Sequence, residues 1–482
     1  MSGCFCLFLD GETSPESIAC RKAAGRLSVF GTGWFLSILL SVSLGQSACA
    51  ENLNWTGAGG GSWSASTNWA PSARVPDAGD DVLINSDGPV VVTNTSATAN
   101  SVTVGQVSSG TLVINGSLLS NSLSLGVAAA IGGTVTFSGA TLQNQGLLSV
   151  GGNGIGTLSL LHGSAVSTGT VYIGEGATGN GFLTLDNSSS LVTAGTIFVG
   201  YGGGSAPSGG GNGELKILAG STVDSQRAIL GEGAGTEGAT LISGAGSRWT
   251  VAADTVIGNA GVSTLTVTGG GKLLSGTTTV IANLYSASGS EVTLTRLGSS
   301  LETGQLIVGN EGSARLTVEA AASATSDSAI IGRHSTSVAT VTGDGSTWVA
   351  GDLQIGGDVA DPGGASGNGT LNVTAGGKVN STAARLGTVA GATGAAIIDG
   401  EGSAWTVGSG GLAIGDAGTG SLAVTGGGIV GSQAVVLGNS AASTGSARIS
   451  GVGSTLRSEG DIIVGRGGNA MMSVEAGGGC RE

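Results

Sequence analysis

Thr264-Leu265-Thr266-Val267-Thr268-Gly269-Gly270 recurs as Thr370-Leu371-Asn372-Val373-Thr374-Ala375-Gly376 and as Ser421-Leu422-Ala423-Val424-Thr425-Gly426-Gly427. Each copy is a short run of alternating apolar and polar residues that breaks at small residues. Leu265 and Val267 point one way and the Thr residues between them the other, which is the period of a strand. Paired glycines then supply the turn. Weaker copies lie near Leu158, Leu215, Leu316 and Met472. Successive positions of that apolar residue (158, 215, 265, 316, 371, 422, 472) differ by 57, 50, 51, 55, 51 and 50. A repeat of about fifty residues therefore runs through the chain and has to be read before anything else.

Two further elements interleave with this one. The first is an apolar strand ending in Gly. It begins at Val102-Thr103-Val104-Gly105 and continues through copies such as Val171-Tyr172-Ile173-Gly174, Leu306-Ile307-Val308-Gly309 and Ile462-Ile463-Val464-Gly465. One copy, Val280-Ile281-Ala282, has lost its Gly. Subtracting successive end positions from Gly105 to Gly465, with Ala282 standing in, gives spacings of 21 to 31 residues. The second element is Gly246-Ser247-Arg248-Trp249, repeated as Gly345-Ser346-Thr347-Trp348 and Gly402-Ser403-Ala404-Trp405. Leu301 and Leu456 stand where Trp stood in two more copies. The fifty-residue unit is thus two half-units of about 25 residues, each with two or three short strands.

No half-unit can bury its apolar side alone, but stacked in register they form one continuous core. The expected fold is all-β: a parallel β-helix, or β-solenoid, of ~50-residue units each made of two ~25-residue coils. A helical bundle is excluded, because no long Gly-free window keeps a 3.6-residue period. A propeller has blades of similar length, but this series runs too long for one ring. Composition agrees. Of 482 residues 95 are Gly, 40% are hydrophobic and only 10% are charged, with a net charge of −14. An apolar core is available, while disorder calls for low hydrophobicity with high charge. A base-poor, acidic chain has no footprint for nucleic acid.

The N-terminus reads as an export signal. Arg21, Lys22 and Arg26 precede an apolar stretch from Val29 to Leu44, which exits through Ala48-Cys49-Ala50. Basic, apolar and small-residue regions in that order direct secretion, with cleavage after Ala50. Residues 1–50 are then a signal peptide with an N-terminal extension. Residues 51–100 form a Trp-rich β segment that caps or leads into the solenoid, and 101–482 are the repeats. Cys4, Cys6, Cys20 and Cys49 precede the cut, leaving Cys480 alone in the mature chain. No internal disulfide or Cys metal cluster can form from one thiol.

The combined motifs G-x-G-S-x-W, T-L-x-V-x-G-G-G-x-V and the strand ending in I-G resemble the repeat of type V secretion (autotransporter) passengers and PEP-CTERM-associated proteins. The resemblance covers roughly Leu158 to the end, with weaker copies from Val102. Asn54-Trp55-Thr56-Gly57, Asn68-Trp69 and Gly79-Asp80-Asp81-Val82 are similar to the leading segments of such proteins. It implies a secreted β-helix and carries no assigned catalytic residues. The expected C-terminal translocator barrel or PEP-CTERM tail is not seen. The last repeat breaks at Cys480-Arg481-Glu482, which reads as a truncated product with an open coil prone to end-to-end self-association.

Chemistry is sparse. His162 and His334 lie in different half-units and read as solvent-facing. G-x-S-x-G, H-E-x-x-H and the P-loop are missing from the sequence. Asp80-Asp81 and Asp358 with Asp361 could be read as calcium ligands. The other turns mostly lack Asp, so they read as solvated turn residues. Trp249, Trp348 and Trp405 could stack on sugars, but the exchange with Leu301 and Leu456 makes them core or coil-edge packing. The stretch from Gly202 to Gly213 is an insertion loop. Catalytic, cofactor and metal residues are accordingly expected to be none, and no cofactor is implied. The expected role is a secreted or cell-surface, outer-membrane-associated adhesin, a structural passenger that meets host or neighbouring-cell surface molecules or glycans. A polysaccharide lyase or hydrolase on the same fold is the alternative, since fold alone does not decide function.

Overall fold

Three short strands and three turns make one coil, as Ser290 to Val308 illustrates. Ser290–Thr295 forms the first face; Ser300–Val308 bends in its middle and supplies the second and third. The next coil repeats this with Ala314–Glu319 and Ser323–Ile331, and the one after with Thr336–Thr342 and Thr347–Ile355. Coils pair in parallel and in register: Leu294 opposite Val318, Leu301 opposite Ala324, Val308 opposite Ile331. A computed structural model of the chain describes residues 50–481, apart from 58–60, 87, 93–94, 204–209 and 364–366. The signal segment and the middle of the Gly202–Gly213 loop lie outside the described residues.

The first faces build a 16-stranded parallel sheet, and the second and third faces together a 26-stranded one. About seventeen coils stack with a spacing near 25 residues, so the half-unit of the sequence is one coil and the fold is a β-solenoid. No α-helix occurs among the described residues, and none is long and apolar enough to cross a membrane. Strand alternation sets the core. Leu294, Val318, Val341 and Val373 line one inner face, while Thr295, Glu319 and Thr342 beside them meet solvent at least in part.

Glycine recurs where coils approach most closely. Gly309 ends its strand at φ +80°, and a Cβ there would lie 1.8 Å from the Ser337 hydroxyl of the next coil. Gly369 opens the T-L-x-V strand, and a Cβ on it would meet the Ile331 carbonyl at 2.2 Å. A side chain at either site would push the coils apart.

The Ser of G-S-x-W is a staple between coils. Ser247, Ser403 and Ser454 are fully or almost fully buried, and each hydroxyl donates to a carbonyl four residues back at 2.7–2.8 Å. Each also accepts a backbone N–H from the preceding coil, from Gly220, Gly376 and Gly427, at 3.0 Å. A small hydroxyl can satisfy an orphan donor and an orphan acceptor in a space too narrow for water. Trp249, Trp348 and Trp405 follow it into the core and are 1%, 0% and 0% exposed. Their indole N–H groups donate to Ser225, Ser326 and Ser381 of the coil before, at 3.0, 3.4 and 3.1 Å. Leu301 and Leu456 are fully buried at the equivalent position.

At the N-terminal end Trp55, Trp63 and Trp69 pack edge to face, with ring centroids 5.0 and 4.9 Å apart. Asn52–Trp55 pairs antiparallel with Trp69–Ala70, and parallel with Asp81–Ile84, so the parallel ladder is already running before Val102. Asp80 corrects the reading of a solvated turn acid. Its side chain is fully buried and held bidentate by Arg74, with further N–H groups from Asp77 at 2.8 Å and Glu51 at 3.2 Å. Burial pushes the carboxyl upward, but the Arg74 guanidinium and the two backbone donors outweigh it and hold it below the usual range. Asp81 is exposed and accepts from Asn100 and Ser101.

Candidate functional site

One edge of the solenoid collects the side chains immediately after the third strand of each coil. There Asn259 donates to Glu232 at 3.0 Å, Asn283 to Asn259 at 2.8 Å, Asn310 to Asn283 at 3.0 Å, and Arg333 to Asn310 at 3.3 Å. Arg333 in turn pairs with the nearly buried Asp358 at 2.9 Å. The amides all point one way, with a carboxylate acceptor at the start and a guanidinium donor near the end. Asp416, Asn439 and Arg466 repeat the same order farther along, at 2.6 and 3.2 Å. The ladder joins successive coils side chain to side chain, so that each amide polarises the next.

Beside this ladder the repeat is interrupted. Where Ala282 replaces the strand-ending Gly, the chain continues as Asn283-Leu284-Tyr285-Ser286-Ala287-Ser288 and closes a 3-10 turn over Tyr285–Ala287. Ala287 is fully buried and pins the turn to the core, leaving Tyr285 81% exposed. Ser288 fixes the turn from both sides. Its hydroxyl donates to the Tyr285 carbonyl at 2.6 Å and accepts the N–H of Ser313 in the next coil at 3.2 Å. Below the tyrosine opens a groove of about 410 Å³, lined by Glu311, His334, Asn368 and the hydroxyls of Ser288, Ser335 and Thr336 among others.

The two histidines separate here. His162 is exposed, with Nδ1 3.1 Å from the Ser138 hydroxyl. His334 is not solvent-facing as expected: it is 18% exposed, and its Nε2 lies 3.2 Å from an Asp361 carboxylate oxygen. Asp358 thereby pairs with Arg333, and Asp361 lies beside His334, both of the preceding coil. No group of three or more metal-ligating side chains occurs among the described residues.

The other aromatic cluster contrasts with Tyr285. Tyr172 and Phe198 stack on one another at 5.0 Å and 8°, and Tyr201 packs across both at 4.5 and 5.0 Å. These rings spend their faces on each other. Burial first, then Tyr201, Glu175 and Glu232, pushes the Tyr172 hydroxyl above its usual range. Tyr285 stacks on no other ring among the described residues. Sequence reasoning missed Tyr285, Glu311 and Asn368; the lost Gly at Ala282 was the signal that marked them.

The fold and this edge define a parallel β-solenoid that carries a loop-built polar groove among its described residues. No family description, curated protein or solved structure matches the chain.

Proposed function

We propose that this chain is an exported, cell-surface structural and adhesive protein without catalytic activity of its own. One observation carries the reading: side chains are spent on stacking. Ion pairs link neighbouring coils at several places, as in Arg315–Glu291, Arg385–Asp352 and Arg448–Glu475. The buried hydroxyls staple coils, and many outward positions carry short Ser, Thr and Asn side chains. Such a chain spaces and presents its edge loops. The basic-apolar-small order of the first fifty residues and the resemblance to type V secretion passengers support export to the surface. That resemblance implies association with the cell surface or outer membrane.

A glycan-cleaving activity is the second reading, favoured by His334 held against Asp361 beside Glu311 in one groove. Incubating the exported protein with neutral and acidic polysaccharides separates the two. The scaffold reading expects no new reducing ends or unsaturated products; their appearance, abolished by His334→Ala, establishes the enzyme. N-terminal sequencing of exported material is expected to begin at Glu51, and a start upstream of Val29 refutes cleavage.

A further inference from the structure

We propose that the groove under Tyr285 binds a short neutral oligosaccharide, with one pyranose ring stacked on the tyrosine. The proposal rests on the adhesive reading and names the ligand class of its edge.

An aromatic ring that serves packing is buried or stacked, as Trp249, Trp348, Trp405 and the Tyr172–Phe198–Tyr201 cluster all are. Tyr285 is 81% exposed, yet its turn is tethered at the buried Ala287 and through Ser288 to Ser313. An open aromatic face on a tethered turn attracts the polarised C–H groups on one side of a sugar ring, because the face carries the negative part of the ring quadrupole. The ordering cost of binding is also small, since the turn is already fixed.

The polar lining fits the other half of a sugar. Hydroxyls both donate and accept, so they need mixed partners. Glu311 accepts; Asn368 does both, one of its N–H groups being held on Thr336 at 3.3 Å. The Ser335 and Thr336 hydroxyls can do both as well, while the Ser288 hydroxyl is committed to the turn. The His334 ring stands at the wall, its Nε2 3.2 Å from an Asp361 oxygen. A volume of about 410 Å³ lies at the low end of small-molecule sites, ~300–1,000 Å³, which suits one or two rings.

Charge selects neutral sugars over uronates. Glu311 makes no ion pair among the described residues; Arg333, next to His334 in sequence, is engaged by Asp358 and Asn310, and Arg315, which lines the adjoining surface, by Glu291. No uncommitted cation lines the groove to receive a ligand carboxylate.

The test titrates the full exported protein with cellotetraose, chitotetraose, maltotetraose and, as the acidic control, tetragalacturonate, by calorimetry and by saturation-transfer NMR. Tyr285→Ala and Tyr285→Phe are run beside the unchanged protein, with far-UV circular dichroism confirming the fold. At least one neutral sugar is expected to bind. Tyr285→Ala weakens it tenfold or more, Tyr285→Phe less than threefold, and saturation transfer is strongest to C–H protons of one ring. Failure of all three neutral sugars, binding of tetragalacturonate alone, or equal affinity in Tyr285→Ala overturns the proposal. Loss of sugar binding in Tyr285→Ala with cell adhesion unchanged keeps the site and refutes the adhesive reading; release of reducing ends keeps the site and refutes the non-enzymatic one.

Discussion

Removing the Ser381 hydroxyl tests whether the Trp–Ser bond between coils stabilises the solenoid or merely accompanies packing. Trp405 is fully buried between Val379 of the coil before and Val430 of the coil after, and its N–H donates to Ser381 at 3.1 Å. Ser381→Ala leaves that N–H buried and unpaired, which costs about 1–3 kcal/mol. Trp405→Leu places in the slot the side chain that Leu301 and Leu456 already use. Its cost is therefore well below the ~3–5 kcal/mol of a Trp-to-Ala truncation. Once Leu occupies the slot, Ser381→Ala strips a hydroxyl that has no partner left and is expected to be near neutral. The double-mutant cycle then gives a coupling of about 1–3 kcal/mol, read as a shift of the urea midpoint by circular dichroism at unchanged slope. The equivalent pair Trp348–Ser326, at 3.4 Å, is expected to couple less. Equal costs of Ser381→Ala in both backgrounds, within ~0.5 kcal/mol, refute the reasoning.

Arg74→Met strands the buried Asp80 carboxylate and is expected to destabilise the N-terminal coils by about 3–5 kcal/mol, measured by the protection of Val82 and Ile84 amides from hydrogen exchange. In the unchanged protein Asp80 is held below its unfolded value near ~3.9, so its contribution is fully present above about pH 4 and lost as pH falls through the folded value. Thermal melts at pH 7 and pH 3 are expected to show this loss, and Asp80→Asn to reduce the pH dependence. A chelator is expected to leave the melting transition unchanged; a large calcium-dependent shift shows that the acids were misassigned.

Much of the fold was legible because each coil repeats the same physical problem. The exchange of Trp405 for Leu456 along the series identifies a core slot before any coordinates, and the strand-ending Gly counts the coils. What the sequence hides is which outward side chains meet. His334 and Asp361 are 27 residues apart (361 − 334), and their contact depends on the inserted stretch after Gly357, whose path no periodicity encodes. Asp80 looks like half of a solvated Asp-Asp turn, because the Arg74 that buries it sits in irregular chain. The amide ladder was open to reading in principle. Asn259, Asn283 and Asn310 each directly follow the strand-ending residue, Gly258, Ala282 and Gly309. Only parallel, in-register stacking turns that coincidence into a hydrogen-bonded row.

The in-register stacking of coils has a mechanical consequence. Tension between the two ends of the ladder does not shear a whole sheet at once; it falls on the outermost coil, whose strands part from one neighbour only. Each coil that yields pays out slack set by its spacing. That is 24 residues between the paired Val292 and Leu316 (316 − 292) and 32 between Ala339 and Leu371 (371 − 339). At ~3.3–3.6 Å per extended residue these amount to roughly 80 and 110 Å. A load borne between the two ends of this ladder would be met by a reel that gives line stepwise, one coil at a time.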